Sequence, residues 1–316
     1  MTRLPVRGPV LGIDIGGTKT HGILLDEARH TLAETVVPTS HGTHGVVASA
    51  LAVADGCLRS AGLDRAGLTG VGVGIPGQVD PDAGVVRTAV NLGIERLDLG
   101  ALLAAELGVP VAVDNDVKAA ARGAAAHLGV ADLTYLNVGT GVAAATLVGG
   151  RLLRGSGNLA GEIGHIPVDP SADRCACGQR GCLEVLVGGG RIAARLAPFS
   201  ARFALPTLLA AADAGDADAR IEVDRISSGM ATAIQLVVLT QGSPLVALGG
   251  GVVHTAEGLV ERVRRVLAGR ASESPFLASL ALPDRLAALP SDLPLAALGA
   301  ALVGRSGLAD VALSTP

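Results

Sequence analysis

Apolar, β-branched runs broken by glycine-rich turns set the rhythm of this 316-residue chain. The opening segment VLGIDIGGTKTHGILLDEARHTLAETVVP predicts strand, tight Gly turn, strand, loop and strand. A helix with an Ala/Leu/Val face follows over roughly residues 44–61. GLTGVGVGIPG reads as a buried strand that ends in a Gly/Pro loop, and GVVRTAVNLG as a strand and a turn. DLGALLAAELG predicts a short amphipathic helix capped by Asp98 and stopped by Gly108. PVAVDND is a buried strand ending in acids, and VKAAARGAAAHLG an Ala-rich helix.

Then the pattern restarts. LTYLNVGTGVAAATLVGGRLLRG is again strand, Gly-Thr turn and strand, so Gly139-Thr140 takes the place of Gly17-Thr18. A motif recurring at this distance predicts two halves built on one topology. Helices are expected over 187–197, 203–214 and 217–241. PLVALGGGVV is a further buried strand running into a triple glycine, and LPLAALGAALVGRSG a closing helix. Strands alternating with helices place the chain in the α/β class. A duplicated α/β fold holds its ligand between its halves. Gly-rich turns suit phosphate oxygens there, because no side chain blocks approach to the backbone N–H groups.

Composition narrows the picture. Hydrophobic residues make up 49%, enough for a large core, but aromatics are only 1%. The core must therefore be Ala, Val, Leu and Ile, and stacking platforms for bases are nearly excluded. The formal net charge is −4, Lys19 and Lys118 are the only lysines, and the arginines are scattered. No electrostatic footprint for nucleic acid is present, and no apolar run long enough to span a membrane is evident. The N-terminus runs straight into the Gly motif without a secretory signal, which implies a cytoplasmic chain with reduced thiols.

That inference bears on GEIGHIPVDPSADRCACGQRGCLE, residues 161–184, which holds three of the four cysteines. His165, Cys175, Cys177 and Cys182 form a donor set for a tetrahedral structural zinc, with Gly178 and Gly181 permitting the tight turns. A Cys175–Cys182 disulfide is the competing reading, disfavoured in a reducing compartment. Four protein ligands leave no open position for catalysis. Glu162 and Glu184 bracket the cluster. Cys57 reads as a small buried hydrophobe.

Two further acids stand out. Asp14 lies in an apolar strand beside GGT, where a magnesium ion on phosphates or the turn backbone would be its partner. Asp116 ends a buried strand at a helix start, where it can take the proton of an attacking hydroxyl. Asp114 or Asp116 can equally be a plain helix cap; both roles are met if Asp114 is exposed and Asp116 turned inward. Gly72-Val-Gly74-Ile-Pro-Gly77 matches a dinucleotide fingerprint only formally. Pro76 and the turn formers after it point to a loop, and no P-loop motif occurs.

Taken in order, IDIGGTK, GVGIPGQVD, NLG, VDND, NVGTGV, GEIGH, CACGQRGCLE and LGGGVV resemble the ROK family of sugar kinases and repressors over essentially the whole chain. The resemblance implies the two-lobed actin-like ATPase and sugar kinase fold, with duplicated ribonuclease-H-like domains and a cleft between them. The expected lobes are residues 1–116 plus about 290–316, and 117–289. It implies ATP-dependent phosphorylation of a primary hydroxyl of a hexose-like acceptor, with Asp116 as general base. Asn91, Asn115, Asp116, Glu162, His165 and Glu184 would bind the acceptor. Gly16, Gly17, Thr18 and Lys19, with Gly139, Thr140 and Gly141, would cradle the phosphates. Gly249, Gly250 and Gly251 would pass the nucleoside, Asp14 would organise magnesium, and His165, Cys175, Cys177 and Cys182 would hold zinc.

Glucose is the expected acceptor. The alternatives are an amino sugar, N-acetylmannosamine or N-acetylglucosamine, fructose, allose or a carbasugar cyclitol. A polyphosphate donor and a non-catalytic sugar-sensing regulator are the competing readings of function. A homodimer or homotetramer is usual in the family. Its repressor branch carries an N-terminal helix-turn-helix module, for which the eleven residues before Gly12 leave no room. The chain departs from the family at Ala143-Ala144-Ala145, where glycines are usual, at Lys118, where Asn is frequent, and at Ile94, where an aromatic is common. The last two are expected near the acceptor.

Overall fold

A computed structural model describes residues 8–202 and 204–306. The first part of the chain forms β1 (Val10–Ile15), β2 (Lys19–Leu25), β3 (Thr31–Pro38), α1 (Gly42–Ala61), β4 (Gly70–Ile75), β5 (Gln78–Asp80), β6 (Val85–Thr88), α2 (Leu99–Leu107), β7 (Val111–Asn115) and α3 (Asp116–Leu128). Then come β8 (Leu133–Val138), β9 (Val142–Val148), β10 (Arg151–Leu152), α4 (Leu183–Val187), α5 (Gly189–Leu196), α6 (Leu208–Asp213) and α7 (Ala217–Gln241). The chain continues through β11 (Val246–Gly249), α8 (Gly251–Thr255), α9 (Leu259–Glu273), α10 (Pro275–Ser279), β12 (Leu286–Ala288) and α11 (Leu295–Ser306).

The expected duplication is visible in the strand order. One five-stranded sheet runs β3-β2-β1-β4-β7 and the other β10-β9-β8-β11-β12. β1 and β8 hold the same place, and the Gly-Thr turn follows each. Pairing agrees too: β1 is parallel to β4 and β4 to β7, as β8 is to β11 and β11 to β12.

The described chain divides into two compact units. One holds the residues up to Ala131, Leu147–Ala160 and the chain from Pro294 onward; the other holds Asp132–Thr146 and Gly161–Leu293. The break therefore falls after α3, not at the expected 116/117, because α3 packs against the closing helix α11 of its own unit. The contact is backbone to backbone. A Cβ on Gly299 of α11 would lie 1.8 Å from the Ala119 carbonyl oxygen, and one on Gly123 of α3 would lie 2.0 Å from that of Leu295. A side chain at either position would hold the helices apart.

The same helix explains the formal dinucleotide motif. Gly72 lies in the middle of β4, and a Cβ there would meet the Ala300 carbonyl oxygen at 1.7 Å. This glycine lets α11 lie on the sheet. No helix opens after Gly77; β5 follows instead, in line with the loop reading.

Each unit has its own apolar core. Leu11, Ile13, Val53, Val73, Leu103 and Val113 are fully or nearly fully buried in the first, and Leu136, Ile192, Ile226, Met230, Leu248 and Val263 in the second. Both cores are aliphatic, as the aromatic-poor composition requires. The lone tyrosine, Tyr135, is buried beneath Gly249, where a Cβ would approach its hydroxyl to 2.4 Å. Among the described residues, no helix is long and apolar enough to cross a membrane.

Some expected elements differ in detail. α1 starts at Gly42. Asp98 stands at the N-cap of α2, but its side chain makes no cap bond and pairs with Arg96 at 3.0 Å, while Gly108 ends the helix at φ 71°. The helix expected over 187–197 is split at Gly188, whose extended backbone separates α4 from α5. The expected 203–214 helix is α6 from Leu208; position 203 lies outside the described residues.

Candidate active site

The first unit carries one phosphate-type turn and the catalytic-strand candidates. After β1 the chain reverses at Gly16-Gly17-Thr18, closed by Gly16 N–H donating to the Lys19 carbonyl at 2.9 Å. Gly17 is open on its Cβ side, with nothing within 4 Å. Thr18 and Lys19 are exposed. Two contacts brace the turn from the end of β3. Thr39 N–H donates to the Thr18 carbonyl at 3.0 Å, and His41 Nε2 lies 2.7 Å from the Gly17 carbonyl oxygen. His41 was invisible to motif reading, since nothing local marks its long-range contact.

Asp14 sits at the end of β1. Its surface is only partly buried, yet protein surrounds its carboxyl, and lost hydration pushes its pKa up to about 7. The Asp116 carboxylate pushes in the same direction and the Lys19 ammonium opposes both.

At the end of β7, Asn115 is the true cap of α3. Its Oδ1 accepts from Val117 N–H at 3.1 Å and Lys118 N–H at 3.2 Å. Its Nδ2 donates to the Gly77 carbonyl at 3.3 Å. Asp116 is the first helical residue, with Oδ1 accepting its neighbour's N–H at 2.9 Å.

Asp114 corrects an expectation. It is 1% exposed, not solvent-facing, and receives a two-pronged bond from Arg154 at 2.9 and 2.7 Å. A carboxylate on the buried side of a strand needs such a partner, and the partner comes from forty positions downstream. Asn91 is exposed on a 3₁₀ turn over 90–92.

Two family departures prove structural. Lys118 is 4% exposed and its Nζ donates to the Asn158 carbonyl at 3.0 Å. Ile94 is 2% exposed, bridged to Ala89 in the core. Neither offers its side chain to a ligand in solvent, because both are consumed by packing.

The second unit carries the other turn and the knuckle. In Gly139-Thr140-Gly141, Gly139 N–H donates to the Gly141 carbonyl at 3.0 Å. The start of α5 grips this turn from outside: Gly189 N–H donates to Gly139 O at 2.7 Å and Gly190 N–H to Thr140 O at 3.1 Å. The extended Gly188 makes this approach possible. The run Gly188-Gly189-Gly190 was the available sequence signal, obscured by 44 glycines. Glu184 Oε2 accepts from Val142 N–H at 3.2 Å, and a Cβ on Gly141 would lie 2.5 Å from the same oxygen. Ala144 and Ala145 are buried in the fold.

Glu162 is exposed at the start of a 3₁₀ turn that ends at His165. One ligand atom from each of His165, Cys175, Cys177 and Cys182 lies within 4.8 Å of all the others. His165 Nδ1 is 3.6 Å from Cys175 Sγ, and Cys177 Sγ is 3.6 Å from Cys182 Sγ. A zinc tetrahedron with ordinary bond lengths has edges of about 3.6 Å between S and N and about 3.8 Å between two S atoms. These two separations match such edges, and the four side chains are the right chemistry for that ion. No disulfide joins Cys175 to Cys182, and all four cysteines are free. Gly178 (φ 94°) and Gly181 (φ 70°) form the turns, and a Cβ at Gly181 would strike the Asp169 carbonyl oxygen at 1.7 Å. Burial and the neighbouring thiols push Cys182 up to about 12, so its ionisation calls for a cation.

Beyond β11, Gly249 leads to Gly250 at φ 95°, where a Cβ would come within 2.5 Å of the Val138 carbonyl group. Gly251 is open on its Cβ side.

Two sheets of matching order, each with a Gly-Thr turn after its first strand, define the actin-like ATPase and sugar kinase class. The structure of a ROK family glucokinase from Streptomyces griseus, in complex with glucose and AMPPNP, superposes with a TM-score of 0.75 at 27% identity. The match covers 95% of this chain and all of that one. Residues 10–284 match the ROK family profile, and the chain belongs to the ROK family. It is 32% identical over 279 residues to the glucokinase of Halalkalibacterium halodurans, covering 81% of this chain and 84% of that protein. It is 33% identical over 269 residues to the N-acetylmannosamine kinase of Citrobacter koseri, covering 82% and 88%.

Proposed function

We propose that this protein is an ATP-dependent sugar kinase that phosphorylates a primary hydroxyl of a hexose, with glucose as the leading acceptor. The observation that carries the reading is Asp116: a carboxylate at the junction of the parallel strand β7 and helix α3, oriented by the Val117 N–H at 2.9 Å and by the capping Asn115 beside it. Asp116 takes the proton of the acceptor hydroxyl as that oxygen attacks the γ-phosphorus in line, and ADP leaves. The turns at Gly16–Lys19 and Gly139–Gly141 present backbone N–H groups to phosphate oxygens. Gly249–Gly251 admits the nucleoside. Asp14 would hold magnesium, which when bound neutralises charge on the phosphates.

Asn91, Asn115, Glu162, His165 and Glu184 bind the acceptor's hydroxyls. With Nδ1 turned to the thiols, His165 keeps Nε2–H for a hydroxyl. His165, Cys175, Cys177 and Cys182 would hold a structural zinc that braces the segment between Glu162 and Glu184. The identity to an N-acetylmannosamine kinase supports that amino sugar as the second acceptor reading.

A coupled ADP-release assay across a sugar panel, run on wild type and Asp116→Asn, tests the proposal. Glucose should give the highest kcat/KM. The variant should lose roughly a thousandfold or more in kcat, in the range of a lost acid–base group, while still binding sugar. Near-wild-type turnover in Asp116→Asn would end the base assignment. No ADP release with any sugar would favour a regulator, and release only with polyphosphate would change the donor.

A further inference from the structure

The loop after β10 makes a buried polar knot that the proposed chemistry does not use. Arg154 Nη1 and Nη2 reach the two Asp114 oxygens at 2.9 and 2.7 Å, with Asp114 1% exposed. Arg154 Nη1 also donates to Asn158 Oδ1 at 3.0 Å. Asn158 sits in the left-handed region at φ 62°, which Asn tolerates better than most residues. It is fastened three ways: its Oδ1 to Arg154, its Nδ2 to the Val79 carbonyl at 3.1 Å, and its own carbonyl to the Lys118 ammonium at 3.0 Å. Three polar groups from one five-residue loop thus grip β7, the start of α3 and the middle of β5.

Two of the elements gripped, β7 and α3, meet at the proposed acceptor corner. Asp114 Oδ1 accepts the Asn115 N–H at 2.9 Å as well as the guanidinium. Lys118 is anchored in the first turn of α3, whose first residue is Asp116. The geometry points to Arg154 as a positioning residue that fixes the Asn115–Asp116 corner by clamping Asp114, with Asn158 and Lys118 locking the loop that carries it. A planar two-pronged fork sets direction as well as distance, which a point charge on a flexible stem does not. Misplacing a reacting group by about 1 Å can cost about a hundredfold in rate. Lys118, where the family often has Asn, is in this view an anchor for the loop.

The inference rests on Asp116 as the base, and variants at Arg154 and at Asp116 separate the two. Arg154→Lys keeps the charge but loses the fork. It should stay folded by circular dichroism, with kcat reduced about ten- to a hundredfold and KM for MgATP unchanged. Arg154→Ala should lose more, and millimolar guanidinium should restore part of its kcat. In the double variant Arg154→Lys/Asp114→Asn the loss should not exceed that of the worse single change, since both remove one interaction. A folded Arg154→Lys enzyme with wild-type kcat, an equal rise in both KM values without a kcat change, or fully additive losses would overturn the positioning role. If Asp116→Asn is inactive while Arg154→Lys is normal, only this inference falls. If Asp116→Asn turns over, the base reading falls and takes this inference with it.

Discussion

Glu184 Oε2 receives the Val142 N–H at 3.2 Å, which ties the helix after the thiol cluster to the end of the second Gly-Thr turn. The same oxygen would sit 2.5 Å from a Cβ on Gly141. An acid proposed for the acceptor thus also shapes the strand end that follows the phosphate turn. Glu184→Ala should therefore raise KM for both sugar and MgATP, each by about tenfold or more, the scale of a lost hydrogen bond to a charged group. Glu184→Gln keeps an acceptor oxygen and should leave the MgATP value closer to wild type. Initial-rate kinetics with each substrate varied would decide. A rise confined to the sugar KM would make the bond to Val142 incidental.

Asp14 gives the protein a pH signature. Its carboxyl has an ordinary value of 3.8 and is pushed up to about 7, by burial first and by Asp116 second. Below pH 4 the folded and unfolded chains both hold the proton. Between about 4 and 7 only the folded chain does, so stability falls as pH rises through that window. Asp14→Asn removes this penalty. In metal-free, nucleotide-free protein its melting temperature should equal wild type near pH 4 and exceed it by a few degrees at pH 8. In the wild type, MgATP should bind more tightly as pH rises towards 7, since the cation displaces that proton. Parallel melting curves for the two proteins across pH would show that Asp14 is not the group concerned.

The duplicated strand–turn–strand unit and the cysteine spacing were legible because both are local. A Gly-Thr turn between β-branched runs, or three thiols and an imidazole within eighteen positions, needs no partner from elsewhere to be recognised. What escaped reading depends on distant segments. Asp114 and Asp116 look alike in VDND; only Arg154, a loop arginine that reads as surface, decides which is buried. Gly72 imitates a phosphate motif but serves the passage of α11. Gly188–Gly190 passed as the start of a helix over 187–197, although its backbone holds the second turn. In each case tertiary packing overrode a local signal.

Metal removal should act through the same segment. The ligand atoms of His165, Cys175, Cys177 and Cys182 lie within 4.8 Å of one another, a donor set of the kind that holds zinc. Cys177 is exposed, so Cys177→Ser disturbs packing least. Purified wild type should contain equimolar zinc by elemental analysis, and Cys177→Ser much less. Stripping zinc with a selective chelator, then restoring magnesium, should raise the sugar KM and lower the melting temperature. Because Glu184 also touches Val142, MgATP binding should weaken in turn. Unchanged sugar affinity and melting temperature after complete zinc loss would remove the brace from the argument.

The contact between α3 and α11 links stability to the proposed catalytic corner. A methyl group on Gly299 would lie 1.8 Å from the Ala119 carbonyl oxygen and 2.7 Å from its carbon, so backbone must move. Neither helix has a flexible side chain to yield at that point. Overpacking of this kind costs about 1–3 kcal/mol, or several degrees of melting temperature in a chain this long. The displaced helix α3 begins with Asp116, so Gly299→Ala should lower kcat as well as the melting temperature, with KM for MgATP little changed. Gly269 in α9 meets nothing within 4 Å on its Cβ side and lies in the other unit. Gly269→Ala is therefore the control: it should match or exceed wild-type stability, as alanine does in an open helical position. Thermal melts and steady-state kinetics on the two variants would separate a close-approach effect from a general cost of replacing helical glycine. Equal behaviour of the two would show that α3 and α11 tolerate a wider spacing than their backbone contact implies.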